Sequence, residues 1–323
     1  MTEPIRAGVI RNPRSQRNKA GPLREKSLPT GVRVEMPFTT EALAETLRTF
    51  AAEEVRHLMV DGGDGTLRDV LGALPAAYGK QWPTIALCAS GNTNLAAADV
   101  GSFKRGPEAI ARWHDTLSGK APCRRSGRHA IEVRWPDGSR PPVFGFFVGC
   151  ANYARGVQMA TGTVKQKGFL HGWAVSATIA GAAWQVLTGA SDSDWQQGSA
   201  LALAINGGEA IEGNRFVLLS TSLHRLFGLG LWPFWSDAAA EGALHWLDIR
   251  APAPQFGRAL PAILRGKPKP WMLADGHYRS GRAMRLQLTM AEPLIIDGEP
   301  FGPDSNGQLD LHTGPEVQFH APA

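Results

Sequence analysis

The stretch Asp61-Gly62-Gly63-Asp64-Gly65-Thr66 follows the apolar run His57-Leu58-Met59-Val60 and precedes apolar residues at helical spacing, Leu67, Val70, Leu71 and Leu74. A strand that enters a helix through glycines lets the backbone approach an anion closely, and the helix start aims N–H groups at it. An acidic residue inside such a loop would repel phosphate directly. Asp64 makes chemical sense there through a bridging Mg²⁺, or as a group handling an acceptor hydroxyl. A bare Gly-Asp-Gly has a plainer reading as well, a tight turn with the aspartate as helix N-cap.

Working outward, the same strand-then-helix alternation repeats. Ala7-Gly8-Val9-Ile10 reads as a buried strand before Asn12-Pro13, and Val32 to Met36 as another. Thr40 to Glu54 places Leu43, Leu47, Phe50 and Ala51 on one helical face. Thr84 to Cys88 is a further strand, followed by Ser90-Gly91-Asn92-Thr93-Asn94 and a helix from Leu95. Repeated βα units imply a parallel sheet covered by helices.

Near residue 122 the pattern changes. Short alternating runs such as Ile131–Trp135, Val143–Val148, Leu201–Ile205, Phe216–Thr221, Leu244–Ile249, Met284–Leu288, Leu294–Ile296 and Leu309–His312 are separated by Asp-Gly, Gly-Gly and Asn-Gly turns. This half reads as mostly antiparallel β with one or two helices. The expected division is an α/β domain over residues 1–122 and a β-rich domain over 123–323.

The 323 residues suit two domains, and 43% hydrophobic with 20% charged residues is a globular composition. The net charge of +5 suits an anionic partner without choosing one. Cys88, Cys123 and Cys150 fit no metal-ligand or CxxC spacing, which reads as reduced and cytoplasmic. The N-terminus has no secretory pattern. The apolar run from Phe169 to Ala190 is interrupted by polar residues and glycines and reads as a buried helix rather than a transmembrane segment. No basic–aromatic motif supports nucleic-acid binding.

Several motifs fall in a specific order. Gly62-Gly63-Asp64-Gly65-Thr66 resembles the nucleotide signature of diacylglycerol kinases, sphingosine kinases, NAD kinases and, more loosely, phosphofructokinases. Asn12-Pro13 resembles the first-strand motif of the lipid-kinase branch, Ser90 to Ala96 its glycine–asparagine segment, and Asp297-Gly298-Glu299 its C-terminal motif. The order of the four is more specific than any one, and the chain resembles the diacylglycerol kinase-like lipid kinases.

That resemblance implies a Rossmann-like three-layer nucleotide-binding domain followed by a β-sandwich-like domain. It implies ATP phosphates against Gly62, Gly63, Gly65 and Thr66, with Asn12, Thr40, Gly91, Asn92 and Asn94 lining the nucleotide site. Asp64 would orient Mg²⁺ with ATP. Glu299 would take the proton of a lipid hydroxyl, a diacylglycerol-like acceptor, at a cleft between the domains. A lipid substrate implies contact with a membrane surface, and a homodimer stays open.

The match is weakest from Leu223 to Gly242, where the family tends to carry an Asp-Gly loop that holds a structural Mg²⁺ in some bacterial members. Here Glu241-Gly242 stands instead, and the resemblance implies Glu241 as the replacement ligand of a structural Mg²⁺, its carboxylate displaced by the extra methylene. Phe227, Leu229, Leu231, Trp232, Phe234 and Trp235 crowd the same stretch and read as core or as a lipid-contacting lip. After Asn12-Pro13 the loop carries Arg14, Arg17 and Lys19, either phosphate ligands or a solvated loop. Two rival readings keep part of the resemblance: a kinase of a soluble hydroxyl acceptor such as NAD, and a relative that binds nucleotide or lipid without turnover.

Overall fold

The computed structural model describes residues 6–15, 18, 28–91, 93–104, 107–167, 193–226, 230–236 and 242–323. The chain divides into two units, residues 1–128 with 316–323, and residues 129–315. The last eight residues thus belong to the first unit, which no local pattern in the sequence announces.

In the first unit β1 (Ala7–Arg11), β2 (Val32–Glu35), β3 (His57–Gly62) and β4 (Thr84–Ala89) form a parallel sheet in the order β2-β1-β3-β4. The C-terminal strand adds beside β4, also parallel, through Phe319 opposite Ile85. All five residues of β1 are buried, as a strand covered on both faces requires. Alternation along β1 then divides the helices between those faces. Ala7 and Val9 join Met59, Ala86 and Cys88 under Ile110 and Trp113 of the helix Pro107–Leu117. Gly8 points the other way, where a Cβ would stand 2.5 Å from the ring of Phe50 in α1 (Thr40–Ala52). The result is the expected three-layer α/β arrangement.

α2 (Asp64–Tyr78) buries Leu67, Val70, Leu71 and Leu74, the four positions its periodicity assigns to the core. α1 buries Leu43, Leu47 and Phe50. α3 (Leu95–Val100) follows β4, and α4 is the helix Pro107–Leu117 already placed against the sheet.

The second unit is antiparallel. Its strands, in chain order, are the distal part of β5 (Cys123–Arg134), then β6 (Val143–Gly145), β7 (Phe147–Ala151), β8 (Ser199–Ile205), β9 (Asn214–Thr221), β10 (Leu244–Arg250), β11 (Tyr278–Ala283), β12 (Arg285–Met290), β13 (Leu294–Ile296), β14 (Glu299–Phe301) and the first part of β15 (Gln308–Pro322). β9 is the hub, with β7, β8 and β10 as partners. Ile131, Val148, Leu203, Leu218, Leu286 and Ile296 lie in one shared core. Fully buried, the Arg215 guanidinium meets Asp248 at 2.8 Å and donates to the carbonyls of Gly213 and Ile211. Arg279 pairs with the other oxygen of Asp248. Helices α5 (Asn152–Lys167), α6 (Ser193–Gln197), α7 (Phe256–Leu264) and α8 (Pro270–Ala274) complete the unit.

The aromatic stretch near residue 232 is partly core. Phe234 is buried, Trp232 and Trp235 are half-buried, and the rings of Trp232 and Phe234 pack on His245 of β10. Phe227, Leu229 and the run from Phe169 to Ala190 lie outside the described residues. Among the described residues no helix is long and apolar enough to cross a membrane.

Burial, Arg282 and His224 push the His245 imidazole down to about 4. The unfolded chain takes up this proton near pH 6.5 while the folded chain stays neutral. Stability from this site is therefore complete above pH 6.5 and is lost as pH falls toward about 4. His245→Phe keeps an aromatic ring at the site and removes the titration. Melting temperatures between pH 4 and pH 6.5 should show a shallower decline for the variant than for the wild type.

Candidate active site

The glycine turn sits where the C-terminal ends of β1, β3 and β4 meet, the usual ligand edge of an open parallel sheet. Gly63 is required by packing between loops. A Cβ on Gly63 would stand 2.8 Å from the Cα of Gly91, and a Cβ on Gly91 would stand 2.4 Å from the Cα of Gly63. The turn after β3 and the loop after β4 thus touch backbone to backbone. A Cβ on Gly62 would fall 2.5 Å from Thr66. Gly65 differs, since its nearest neighbour would be the Arg68 guanidinium at 3.9 Å. No packing demand explains a glycine at position 65.

Asn94 locks the second loop. It adopts a left-handed backbone, φ 53° and ψ 47°, and its side chain accepts from Gly91 N at 2.9 Å while donating to Gly91 O at 2.8 Å. Asn94 is the N-cap of α3 by position, but its side chain is turned back and leaves the helix donors uncapped. Asp64 supplies what is missing. Its two carboxylate oxygens accept from Leu95 N at 3.0 Å and Ala96 N at 3.1 Å. Burial pushes the Asp64 carboxyl above its ordinary value, against the downward pull of these amides. The aspartate expected to handle magnesium is therefore also the clamp that joins the two loops.

Asp64→Asn would replace one acceptor oxygen with an NH₂ facing a buried N–H. The expected loss is about 1–3 kcal/mol of stability, the range for a charge-assisted bond broken in a buried site. Denaturant unfolding of the two proteins measures it, and an unchanged midpoint would contradict the clamp.

α2 begins on the other side of this junction with Gly63 as N-cap and no side-chain cap. A helix start without a side-chain cap and with glycine beside it is a fitting place for an anion. Asn12 borders it, donating from Nδ2 to Thr66 Oγ1 at 2.7 Å. The Asn12 carbonyl accepts from Asn18 Nδ2 at 3.0 Å, and the same amide reaches Asp61 O at 3.2 Å.

Two residues at the site were given no role in the sequence reading. Asp61 is buried, accepts from Ser90 Oγ at 2.5 Å, and lies 3.7 Å from Arg11 Nε. Its signal was a charged residue at the end of an otherwise apolar strand. Arg11 stands opposite it in the β1–β3 register, which only the sheet reveals.

Thr40 is placed differently from the rest. It is exposed in the first turn of α1, with its hydroxyl donating to Glu41 at 3.0 Å, and the capping oxygen is that of Thr39. Asn92, Glu241, Arg17 and Lys19 lie outside the described residues. Among the described residues no three of His, Cys, Asp and Glu gather as metal ligands. One engaged carboxylate does not make a protein cage, and this donor set fits Mg²⁺ only as a cation carried on nucleotide phosphates.

In the second unit, Asp297-Gly298 is the two-residue loop of the β13–β14 hairpin, with φ of 46° and 91°. Positive φ at both positions is the turn that suits Asp-Gly. Asp297 accepts from Phe146 N at 3.2 Å and Phe147 N at 3.0 Å, which ties the hairpin to the break between β6 and β7. Glu299 follows, exposed, with no hydrogen-bond or ion-pair partner among the described residues. The aspartate of the motif is positional, and the glutamate has no such tie among the described residues.

Residues 6–121 match the profile of the diacylglycerol kinase catalytic domain. The fold is shared with the crystal structure of a candidate diacylglycerol kinase from Bacillus anthracis str. Sterne, at 14% identity and a TM-score of 0.62, covering 99% of this chain and 98% of that one. A second structure, of a diacylglycerol kinase from the same organism, aligns at 13% identity and a TM-score of 0.60 over 99% of this chain and 97% of that one. No curated protein matches the chain. The matched domain is that of a phosphotransferase with an alcohol group as acceptor. Within that class, residues 6–121 are similar to the diacylglycerol kinase catalytic domain.

Proposed function

We propose that this kinase transfers the γ-phosphate of ATP to the hydroxyl of a diacylglycerol-like lipid. The observation that carries the nucleotide half is the closed junction of Gly63 and Gly91, which leaves the start of α2 without a side-chain cap beside the Asn12–Thr66 bond. Phosphate oxygens would accept from the N–H groups of that helix start, and Gly65 gives them an approach free of Cβ atoms. Asp64 and Asn94 hold the two loops in the spacing this needs. Bound Mg²⁺ would neutralise charge on the transferring phosphoryl group.

The acceptor half rests on Glu299. An exposed carboxylate without a partner can hydrogen-bond a primary alcohol and take its proton as the oxygen attacks phosphorus. The resemblance of Asp297-Gly298-Glu299 to the lipid branch favours a lipid hydroxyl over a soluble one.

The test is transfer of label from γ-labelled ATP to a panel of acceptors with magnesium present. Diacylglycerol in detergent micelles should yield a product that partitions into the organic phase. Label transferred to NAD and retained in the aqueous phase, with none in lipid, would overturn the acceptor. No transfer to any acceptor would overturn the enzyme reading in favour of a binding protein.

A further inference from the structure

The second unit carries a turn whose charge no ion pair explains. From Phe256 to Ala274 the sequence holds Arg258, Arg265, Lys267 and Lys269 and no acidic residue, in a chain with 34 basic and 29 acidic side chains. Among the described residues, arginines elsewhere are widely paired with carboxylates, including Arg128, Arg134, Arg155 and Arg279. Arg258, Arg265, Lys267 and Lys269 are in no ion pair among the described residues. Arg258 has only the neutral Gln255 oxygen, at 2.8 Å.

The placement is one-sided. α7 buries Ala259, Ala262 and Ile263 and turns Arg258, Pro261 and Arg265 outward, residues that lie three to four positions apart on one helical face. The chain then doubles back at Gly266, whose N–H bonds Ile263 O at 2.8 Å, and Lys267 N bonds Ala262 O at 3.0 Å. A Cβ on Gly266 would stand 2.4 Å from the Phe234 carbonyl, so this turn is pressed against the tryptophan-rich stretch. Trp232 N donates to Leu264 O at 2.8 Å, and the Trp232 ring is half-buried. On α8, Trp271 is half-buried against Tyr278 and Leu273 is 52% exposed.

We propose that this surface, Arg258 and Arg265 to Leu273 with Trp232 beside it, docks the kinase on an anionic phospholipid bilayer. Unpaired cations meet lipid phosphates, exposed leucine enters the apolar layer, and half-buried tryptophans suit the interface between them. The choice of a bilayer over another polyanion follows from the apolar component, and it rests on the lipid acceptor inferred above.

Co-sedimentation of the full chain with phosphatidylcholine vesicles, with and without phosphatidylglycerol, tests it. The wild type should bind only the phosphatidylglycerol vesicles and release as salt rises. The combined variant Arg265→Gln, Lys267→Gln, Lys269→Gln should bind about 100-fold more weakly, at about five-fold per cation. Arg6→Gln, Arg33→Gln, Arg48→Gln removes the same charge from the first unit and should bind as the wild type. Equal binding by the first variant, equal loss in the second, or no wild-type binding would each overturn the surface. Phosphorylation of diacylglycerol in uncharged micelles separates the two readings. Product there with unaltered vesicle binding in the first variant removes only the surface. Absence of product with charge-dependent vesicle binding removes only the lipid acceptor.

Discussion

Glu299→Gln is expected to lower kcat for phosphoryl transfer by a factor of about 10² to 10⁴, the range lost with a general base. The variant should melt with the wild type. The side chain is exposed and has no partner among the described residues, and surface substitutions of that kind stay within about 0.5 kcal/mol. Glutamine keeps the size and a hydrogen-bond acceptor but cannot hold a proton taken from an alcohol. The neighbouring Asp297 makes the contrast. Its carboxylate accepts from Phe146 N and Phe147 N, so Asp297→Asn should cost stability and activity together. Glu299→Asp draws the carboxylate back by one methylene and should retain part of the rate. Steady-state kinetics beside thermal melts distinguishes the three. A Glu299→Gln enzyme with wild-type kcat would remove this residue from the chemistry.

The first unit was legible because its signals are local. Leu67, Val70, Leu71 and Leu74 repeat at helical spacing, and all four are buried. The first four residues of β1, Ala7 to Ile10, form an apolar run, and the strand is buried on both faces. The glycine turn was legible as a candidate site, but the sequence could not show which glycine answers to which neighbour. Gly63 and Gly91 are 28 positions apart, and only the sheet brings their backbones together. The same distance hid the Asp64 clamp on Leu95 and Ala96, 31 and 32 residues on. The Arg11–Asp61 pair depends on parallel register, and the return of residues 316–323 beside β4 depends on topology. In the second unit the hairpin at Asp297-Gly298 was readable from its two residues, because a two-residue Asp-Gly loop leaves few alternatives. β11 was not readable, since Tyr278-Arg279-Ser280-Gly281-Arg282-Ala283 lacks apolar alternation. Its strand character comes from pairing with β10 and from Gly281, where a Cβ would fall 2.6 Å from the Trp246 ring.

Gly91→Ala and Gly65→Ala should separate the two reasons for glycine at this turn. The added methyl at 91 would lie 2.4 Å from the Cα of Gly63 and 2.9 Å from Asn94 Oδ1. Backbone cannot rotate away as a side chain can, so the β3 and β4 loops must part. Overpacking of this kind costs about 1–3 kcal/mol. The larger consequence is geometric, because parting the loops also strains the bonds from Asp64 to Leu95 and Ala96 and shifts the start of α2. A misplacement of the phosphate site by an ångström lowers turnover by roughly 100-fold. Gly65→Ala meets only the end of Arg68 at 3.9 Å and sits in the first turn of α2, so it should melt at or above the wild-type temperature. If Gly65 is there for phosphate, this variant should raise the Kd for ATP several-fold while the fold is untouched. Calorimetry with nucleotide titration reads both quantities on both proteins. Stable Gly91→Ala with normal ATP affinity would mean that the loops are not in contact as described. Normal ATP affinity in Gly65→Ala would move the phosphates away from the start of α2.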